Sequence, residues 1–281
     1  MSHTAEIIAV GTELLLGNIT NTNASEISRA LSAVGVNVFW HTVVGDNPER
    51  LREALKIARK RADVILTTGG LGPTYDDLTK QTVCETFGKL LVLREDVLEH
   101  IRTYFARNVH LVMPENNRQQ AEFPADCVIF DNPVGTAPGC AFEAEGVHVL
   151  MLPGPPFEMR TMLQNWAVPY LRGLSKEVIV SHDIMTFGLG ESPMEDLMRE
   201  RISRMENPSL ATYAKPSEVR LRATAKADSA AAAEAMLVPV VKEGTDYLGD
   251  VVYGVDVPNL ETVCMTHLKE KGWTFATAES C

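Results

Sequence analysis

The sequence predicts an α/β protein: a layered, Rossmann-type domain with a mostly parallel sheet, then a small α+β domain. Three observations predict it. Short apolar runs alternate with amphipathic stretches over roughly the first 172 residues, as βαβ units require. Glycine-rich turns close several of those runs. From near Ser175 the order changes to β-α-β-β-α-β, which closes a smaller sandwich. With 281 residues, 45% hydrophobic and 22% charged, the chain has ordinary globular composition and length for such an arrangement.

The elements follow in order. Glu6–Gly11 (EIIAVG) is an apolar run closed by glycine, hence a buried strand. Asn23–Val34 places Ile27, Ala30, Leu31 and Val34 at helical spacing, with Gly35 as its stop. Val36–Val44 is the second strand. Asp46 or Asn47 caps the next helix, Pro48–Ala62, whose apolar face carries Leu51, Leu55 and Ala58. Asp63–Thr68 is a third strand, and Asp77–Phe87 and Leu93–Asn108 are helices. Cys127–Phe130 and Val147–Leu152 are strands separated by the loop Asn132–Gly139, and Pro156–Leu171 is a helix. The second domain, 176–253, reads as strand Val178–Phe187, helix Pro193–Met205, strands Ala211–Ala214 and Glu218–Lys226 joined by a hairpin turn at Lys215-Pro216-Ser217, helix Ser229–Gly244 and strand Val251–Tyr253. Beyond it, Leu260–Lys271 is helical and Trp273–Ala278 opens a strand.

Charge and cysteine usage exclude several classes. The net charge of −11 argues against a broadly basic surface for duplex nucleic acid or anionic lipid. Residues 176–253 hold 9 basic against 13 acidic side chains and no GxxG loop, which speaks against RNA binding there and for a spacer or pairing role. No apolar run approaches a membrane span, and the N-terminus lacks a basic region followed by an apolar core, so a cytoplasmic protein is expected. Five cysteines without a CxxC pair argue against a disulfide framework or a cysteine zinc site; Cys84 and Cys127 read as core thiols.

The strongest local signal is Thr67–Thr79 (TTGGLGPTYDDLT). It follows a buried strand and precedes a helix, where open α/β sheets bind ligands. Gly69, Gly70 and Gly72 let the backbone of Gly69–Thr74, including Leu71 and Pro73, approach a phosphate. Asp76 and Asp77 could hold a divalent metal, or could cap the helix. Gly11-Thr12-Glu13 ends the first strand at the same edge and lacks GxGxxG, which argues against a dinucleotide fingerprint. Of Thr20-Asn21-Thr22-Asn23, a helix cap needs one residue, leaving room for a ligand role. Asp46 ends the second strand, where it caps a helix or joins a site. Glu13, Asp46, Asp76 and Asp77 therefore converge on one edge of a parallel sheet, and are expected to line one cleft with Gly69–Gly72. Two further small-residue loops, containing Gly135, Thr136 and Ala137 and Pro153 and Gly154, would add a binding rim. Glu158 suits the dipole of its helix N-terminus. Lys80 either reaches a phosphate or stands solvated, and solvation is the expectation.

These motifs, GTELLLGNITNTN at Gly11–Asn23, GGLGPTYDDLT at Gly69–Thr79, NPVGTAPG and LPGPPFEM, resemble the CinA family of competence/damage-inducible proteins, relatives of the molybdopterin-binding domains of molybdenum cofactor biosynthesis. Residues 176–253 resemble that family's KH-type middle domain. The resemblance implies a molybdopterin-binding-like first domain, 1–172, that hydrolyses ADP-ribose to AMP and ribose 5-phosphate. Divalent metal would be held by Glu13, Asp76 and Asp77, with K+ as a second cofactor. Asp77 and Asp46 match the functional acids of the related domains, and either would deprotonate a metal-bound water. Leu71 and Asp76 stand where the molybdopterin-adenylating relatives carry threonine and arginine, which favours the CinA reading. The alternative is a pterin- or nucleotide-binding module without chemistry. A homodimer is implied, with a small nucleotide as ligand and neither nucleic acid nor membrane as partner. Thr277–Cys281 (TAESC) resembles the opening of the family's amidase domain, which deamidates nicotinamide mononucleotide. Residues 256–281 are accordingly expected to be its truncated start, with Ser280 as nucleophile and no amidase activity in this chain.

Overall fold

The computed structural model describes residues 3–109, 112–174, 177–215 and 218–279, and the chain falls into two compact units, residues 1–176 and 177–281. The hairpin turn at Pro216-Ser217 and the serine and cysteine of TAESC lie outside the described residues.

In the first unit the elements run β1 (Thr4–Val10), α1 (Thr12–Leu15), α2 (Thr22–Ala33), β2 (Asn37–Val44), α3 (Pro48–Ala58), β3 (Val64–Thr68), α4 (Thr79–Thr86), β4 (Leu91–Leu93), α5 (Glu95–Tyr104), β5 (Glu122–Pro124), β6 (Val128–Phe130), β7 (Gly139–Ala144), β8 (Val147–Leu152), α6 (Pro156–Met162) and α7 (Val168–Leu174). A six-stranded sheet has the order β2-β1-β3-β8-β7-β6. Its first four strands are parallel and the last two turn antiparallel. β1, β2, β3 and β8 therefore end at one edge.

Both faces of the sheet are covered, as the near-continuous apolar strands require. Ile8, Ile65 and Val149 pack on one face against Leu51 and Leu55 of α3, Val83 of α4 and Leu98 of α5. Ile7, Leu66 and Leu150 pack on the other against Ile27 and Leu31 of α2 and Met159 and Leu171 of α6 and α7. Adjacent residues of one strand thus feed opposite cores.

The second unit contains β9 (Val178–Phe187), α8 (Glu191–Arg204), β10 (Ser209–Lys215), β11 (Glu218–Ala227), α9 (Ala230–Leu248), β12 (Val252–Val255) and α10 (Leu260–Glu270). Its antiparallel sheet has the order β10-β11-β9-β12, and Ile184 and Leu221 meet Met194, Met198 and Leu237 of the helices. This is the β-α-β-β-α-β order expected.

Several elements differ from the sequence reading. The segment expected as loop up to Gly139 continues into β7, which pairs with β8. α3 stops at Ala58, and Arg61 leaves the helix to donate twice to buried Glu6, at 2.8 Å each, beneath the Trp40 ring. α4 begins at Thr79 and its N-cap, Leu78, makes no side-chain cap bond, so neither Asp76 nor Asp77 caps it. Residues 273–279 form no strand; Trp273 and Phe275 are exposed, with no neighbouring strand among the described residues to pair with.

The loop after β3 depends on one close approach. Gly69 has φ +105, and a Cβ there would stand 2.1 Å from the Val10 carbonyl oxygen. Gly88, by contrast, has φ +65 with open space around it. Gly88→Ala is therefore expected to cost about 1 kcal/mol from backbone strain alone, and Gly69→Ala at least about 3 kcal/mol because the strands must also part. Urea-unfolding midpoints of the two variants check this; equal losses would remove the close approach from the account.

Candidate functional site

The loop that follows Gly69 is wired with unusual polarity. Every carbonyl from Gly70 to Thr74 already accepts a hydrogen bond. Gly70 takes the Thr79 amide at 3.1 Å, Leu71 the Gln120 side-chain amide at 3.4 Å, Gly72 that of Gln119 at 3.1 Å, Pro73 that of Asn116 at 3.1 Å, and Thr74 the Asp77 amide at 3.1 Å. The three side-chain amides come from one 3-10 turn, Glu115–Ala121. The N–H groups of Gly70, Leu71 and Gly72 donate to no partner among the described residues. A backbone stripped of free acceptors and left with free donors, at a helix N-terminus, is a cradle for an anion. Gly70 itself has φ +65, and a Cβ there would meet the Thr79 hydroxyl at 2.1 Å, so the cradle closes only around glycine.

Beside this loop lies a cavity of about 350 Å³ lined by Gly70, Leu71, Gly72, Asp77, Lys80 and Gln119 among others. Lys80 overturns the expectation of a solvated side chain: it is 8% exposed. Its Nζ donates to the Gln120 carbonyl at 3.0 Å and stands 4.0 Å over the Phe123 ring. Burial pushes its ammonium down to about 8. Cys84, the next turn of α4, is a core thiol that burial pushes up to about 12, whereas Cys127 is only partly buried.

A second, smaller cavity of about 60 Å³ lies at the same sheet edge but on the face covered by α2; Glu13, Thr20–Asn23, Thr68, Gly154 and Pro156 line it. Asn21 is the cap of α2, accepting from the Ala24 amide at 3.1 Å. Asn23 is buried and does something else. Its Nδ2 donates to Thr68 Oγ1 at 3.0 Å and to the Gly154 carbonyl at 2.8 Å, while Thr68 donates to the Pro153 carbonyl at 2.9 Å. Its Oδ1 is buried without a partner among the described residues. A Cβ at Gly154 would be 3.5 Å from Gly69 Cα, so the Pro153-Gly154 loop packs on the glycine loop.

The four acids do share one sheet edge, but they do not line one cleft. Asp46 accepts from the Thr12 amide and hydroxyl, both at 2.8 Å, which ties β2 to the end of β1; the capping of α3 is done by Asn47. Asp77 accepts from the Thr74 amide at 2.9 Å and from its hydroxyl, and the same hydroxyl meets Asp76, whose carboxyl that contact holds below the usual range. Glu13 folds back over Gly11, where an added Cβ would be 2.6 Å from its Oε1. Among the described residues no group of three or more His, Cys, Asp or Glu side chains stands where it could hold a metal ion. The expected metal set of Glu13, Asp76 and Asp77 is therefore not brought together: Glu13 borders the cavity on the α2 face, Asp77 the one on the α4 face.

The Gly135-Thr136-Ala137 loop borders neither cavity. It wraps Glu158 instead: Asn132 donates to both the Ala137 carbonyl and the Glu158 carboxylate, and a Cβ at Gly135 would overlap that carboxylate. Glu158 is 9% exposed, so it is a buried acid rather than a dipole-facing surface one.

An α/β domain with this loop at its sheet edge, joined to a KH-type unit, is the class of protein defined here. Residues 6–173 match the family described as "Probable molybdopterin binding domain", and 181–254 that described as "Damage-inducible protein CinA KH domain". A "Putative competence-damage inducible protein" of Caldicellulosiruptor saccharolyticus is 47% identical over 277 residues, covering 99% of this chain and 67% of the relative. A "CinA-like protein" of Dictyoglomus turgidum is 48% identical over 276 residues, covering 98% and 67%. The crystal structure of a CinA protein of unknown function from Thermoplasma acidophilum, 35% identical, superposes with a TM-score of 0.53 over 58% of this chain and 95% of that one. The chain belongs to the CinA family. No helix among the described residues is long and apolar enough to cross a membrane.

These findings correct the expectation of ADP-ribose hydrolysis. The matching domain is named for binding molybdopterin, the relatives are named as a competence-damage inducible protein and a CinA-like protein, and the acids assigned to that hydrolysis are occupied in separate local contacts.

Burial raises the Glu158 carboxyl above its usual value, against the opposing hydrogen bond from Asn132. A carboxyl raised on folding binds its proton more tightly in the folded state, so it contributes stability at low pH that is lost as pH rises above the unfolded value. Melting temperatures of wild type and Glu158→Gln, compared from about pH 4, near the ordinary carboxylate range, up to about pH 8, are expected to diverge as pH rises, the variant becoming relatively more stable. A constant difference would contradict this.

Proposed function

We propose that the first unit binds, rather than cleaves, a phosphate-bearing pterin or nucleotide at the carboxyl edge of its sheet. The observation that carries this reading is the pairing of occupied carbonyls from Gly70 to Thr74 with unpartnered amides at Gly70, Leu71 and Gly72. Amides fixed in advance bind an anion without paying to reorganise. The name of the matching domain family supports a pterin as one candidate. The cavity on the α2 face supports a ligand with a polar ring: the unpartnered Oδ1 of Asn23 is an acceptor awaiting an N–H or O–H donor, as a pterin or base amino group supplies. Asp46 and Asp77 then act as braces of the loops, not as acid–base groups.

Calorimetric titration with AMP, inorganic pyrophosphate and a pterin phosphate tests the reading. Wild type is expected to bind at least one of them. Gly72→Ala would push a Cβ to 2.4 Å from Asp77 Oδ2 and shift the loop; it is expected to weaken binding about tenfold or more, in line with losing charge-assisted bonds worth about 1.5–3 kcal/mol. Absence of binding by wild type at millimolar ligand would overturn the reading.

A further inference from the structure

We propose that Lys80 is the charge-recognising group of this site: a buried ammonium without a carboxylate partner, which takes the ligand's phosphate as its counter-ion and so selects dianionic ligands over neutral ones. The inference rests on the binding reading above and names the residue and ligand charge on which it turns.

Lys80 is the one lysine or arginine among the described residues that is buried. A lysine held in that position for packing alone would be better replaced by methionine, since a buried charge costs free energy unless it is paired. Its pairing is incomplete. One of three ammonium protons has an acceptor, the Gln120 carbonyl at 3.0 Å, and the Phe123 ring lies 4.0 Å from the nitrogen. Glu122 of β5 acts on it through space but forms no ion pair with it. Lys80 lines the same cavity as Gly70, Leu71 and Gly72, the residues whose amides are unpartnered. An anion entering there would meet both the amides and the ammonium, and would relieve the cost of burying the charge. Gln120 couples the two: its carbonyl holds Lys80 and its side-chain amide holds the Leu71 carbonyl.

Protonation provides the test. Burial has pushed the ammonium to about 8, so much of Lys80 is neutral at about pH 8.5. A dianion binds the charged form, so binding at that pH must draw a proton from solution. The titratable groups that act on Lys80 are Cys84 of its own helix, Glu122 of β5, Cys127 beside β6 and Cys140 of β7, and Asp77, Glu85 and Lys89 line the same cavity. Burial holds Cys84 and Cys140 up as thiols, while the contact with Cys140 lowers Cys127. Among these thiols Cys127 is thus the competing source of protons.

The experiment titrates AMP, a phosphate monoester whose second pKa of about 6 leaves it a dianion, into wild type, Lys80→Met and Cys127→Ser at about pH 8.5, in two buffers of different ionisation enthalpy. Circular dichroism confirms that each variant is folded. Wild type and Cys127→Ser are expected to take up a large fraction of one proton per AMP bound, and Lys80→Met to take up none and bind at least about tenfold more weakly. Binding by wild type without proton uptake, uptake that persists in Lys80→Met, or Lys80→Met affinity within twofold of wild type would each overturn the role of Lys80 while leaving the binding module standing. Failure of wild type to bind pyrophosphate, AMP or a pterin phosphate would remove both.

Discussion

The site depends on where the carbonyls of one short loop find their donors. A glycine-rich loop with free carbonyls and free amides is electrically neutral toward a ligand. Here Asn116, Gln119 and Gln120 spend their side-chain amides on that loop's carbonyls. The 3-10 turn that carries them is anchored by the β4–β5 ladder and by packing against α5, so the polarity of the loop is set by residues over 40 positions later in the chain. Removing acceptors in this way does what adding a positive charge would do, with no charge to desolvate.

The sheet decides how the rest of the site is distributed. Its two apolar faces draw α2 to one side and α4 to the other, so the loops that all end at one edge open into two cavities rather than one. Carboxylates that share an edge need not share a site. Each finds a nearer donor: Asp46 the Thr12 amide, Asp77 the Thr74 amide. Such contacts fix the ends of β1 and of the glycine loop.

Most of the frame was legible in the sequence. The apolar runs that became β1, β2, β3 and β8 and the glycine loop after β3 follow from period and turn chemistry, and the antiparallel pair β10–β11 of the second unit from the turn residues between its two runs. β7 was hidden because it begins at the last glycine of a Gly-Pro-rich loop, where composition signals a turn. The burial of Lys80 was hidden for a different reason: the Phe123 ring and Gln120 carbonyl that cover it belong to segments with no periodic pattern. The division of the acids between two cavities was hidden because spacing places a side chain at an edge but does not say which backbone amide it will reach first. The 3-10 turn carried one visible trace, the run Asn116-Asn117-Arg118-Gln119-Gln120, whose four amide side chains are an uncommon concentration of donors.

The central claim is that the amides of Gly70, Leu71 and Gly72 are preset donors for an anion. Backbone amide NMR during titration with inorganic pyrophosphate reports on those protons directly. The account predicts that these three resonances move downfield together and saturate, with slowed exchange against solvent. Saturation that leaves all three unmoved, with shifts confined to exposed lysines and arginines elsewhere, would contradict it.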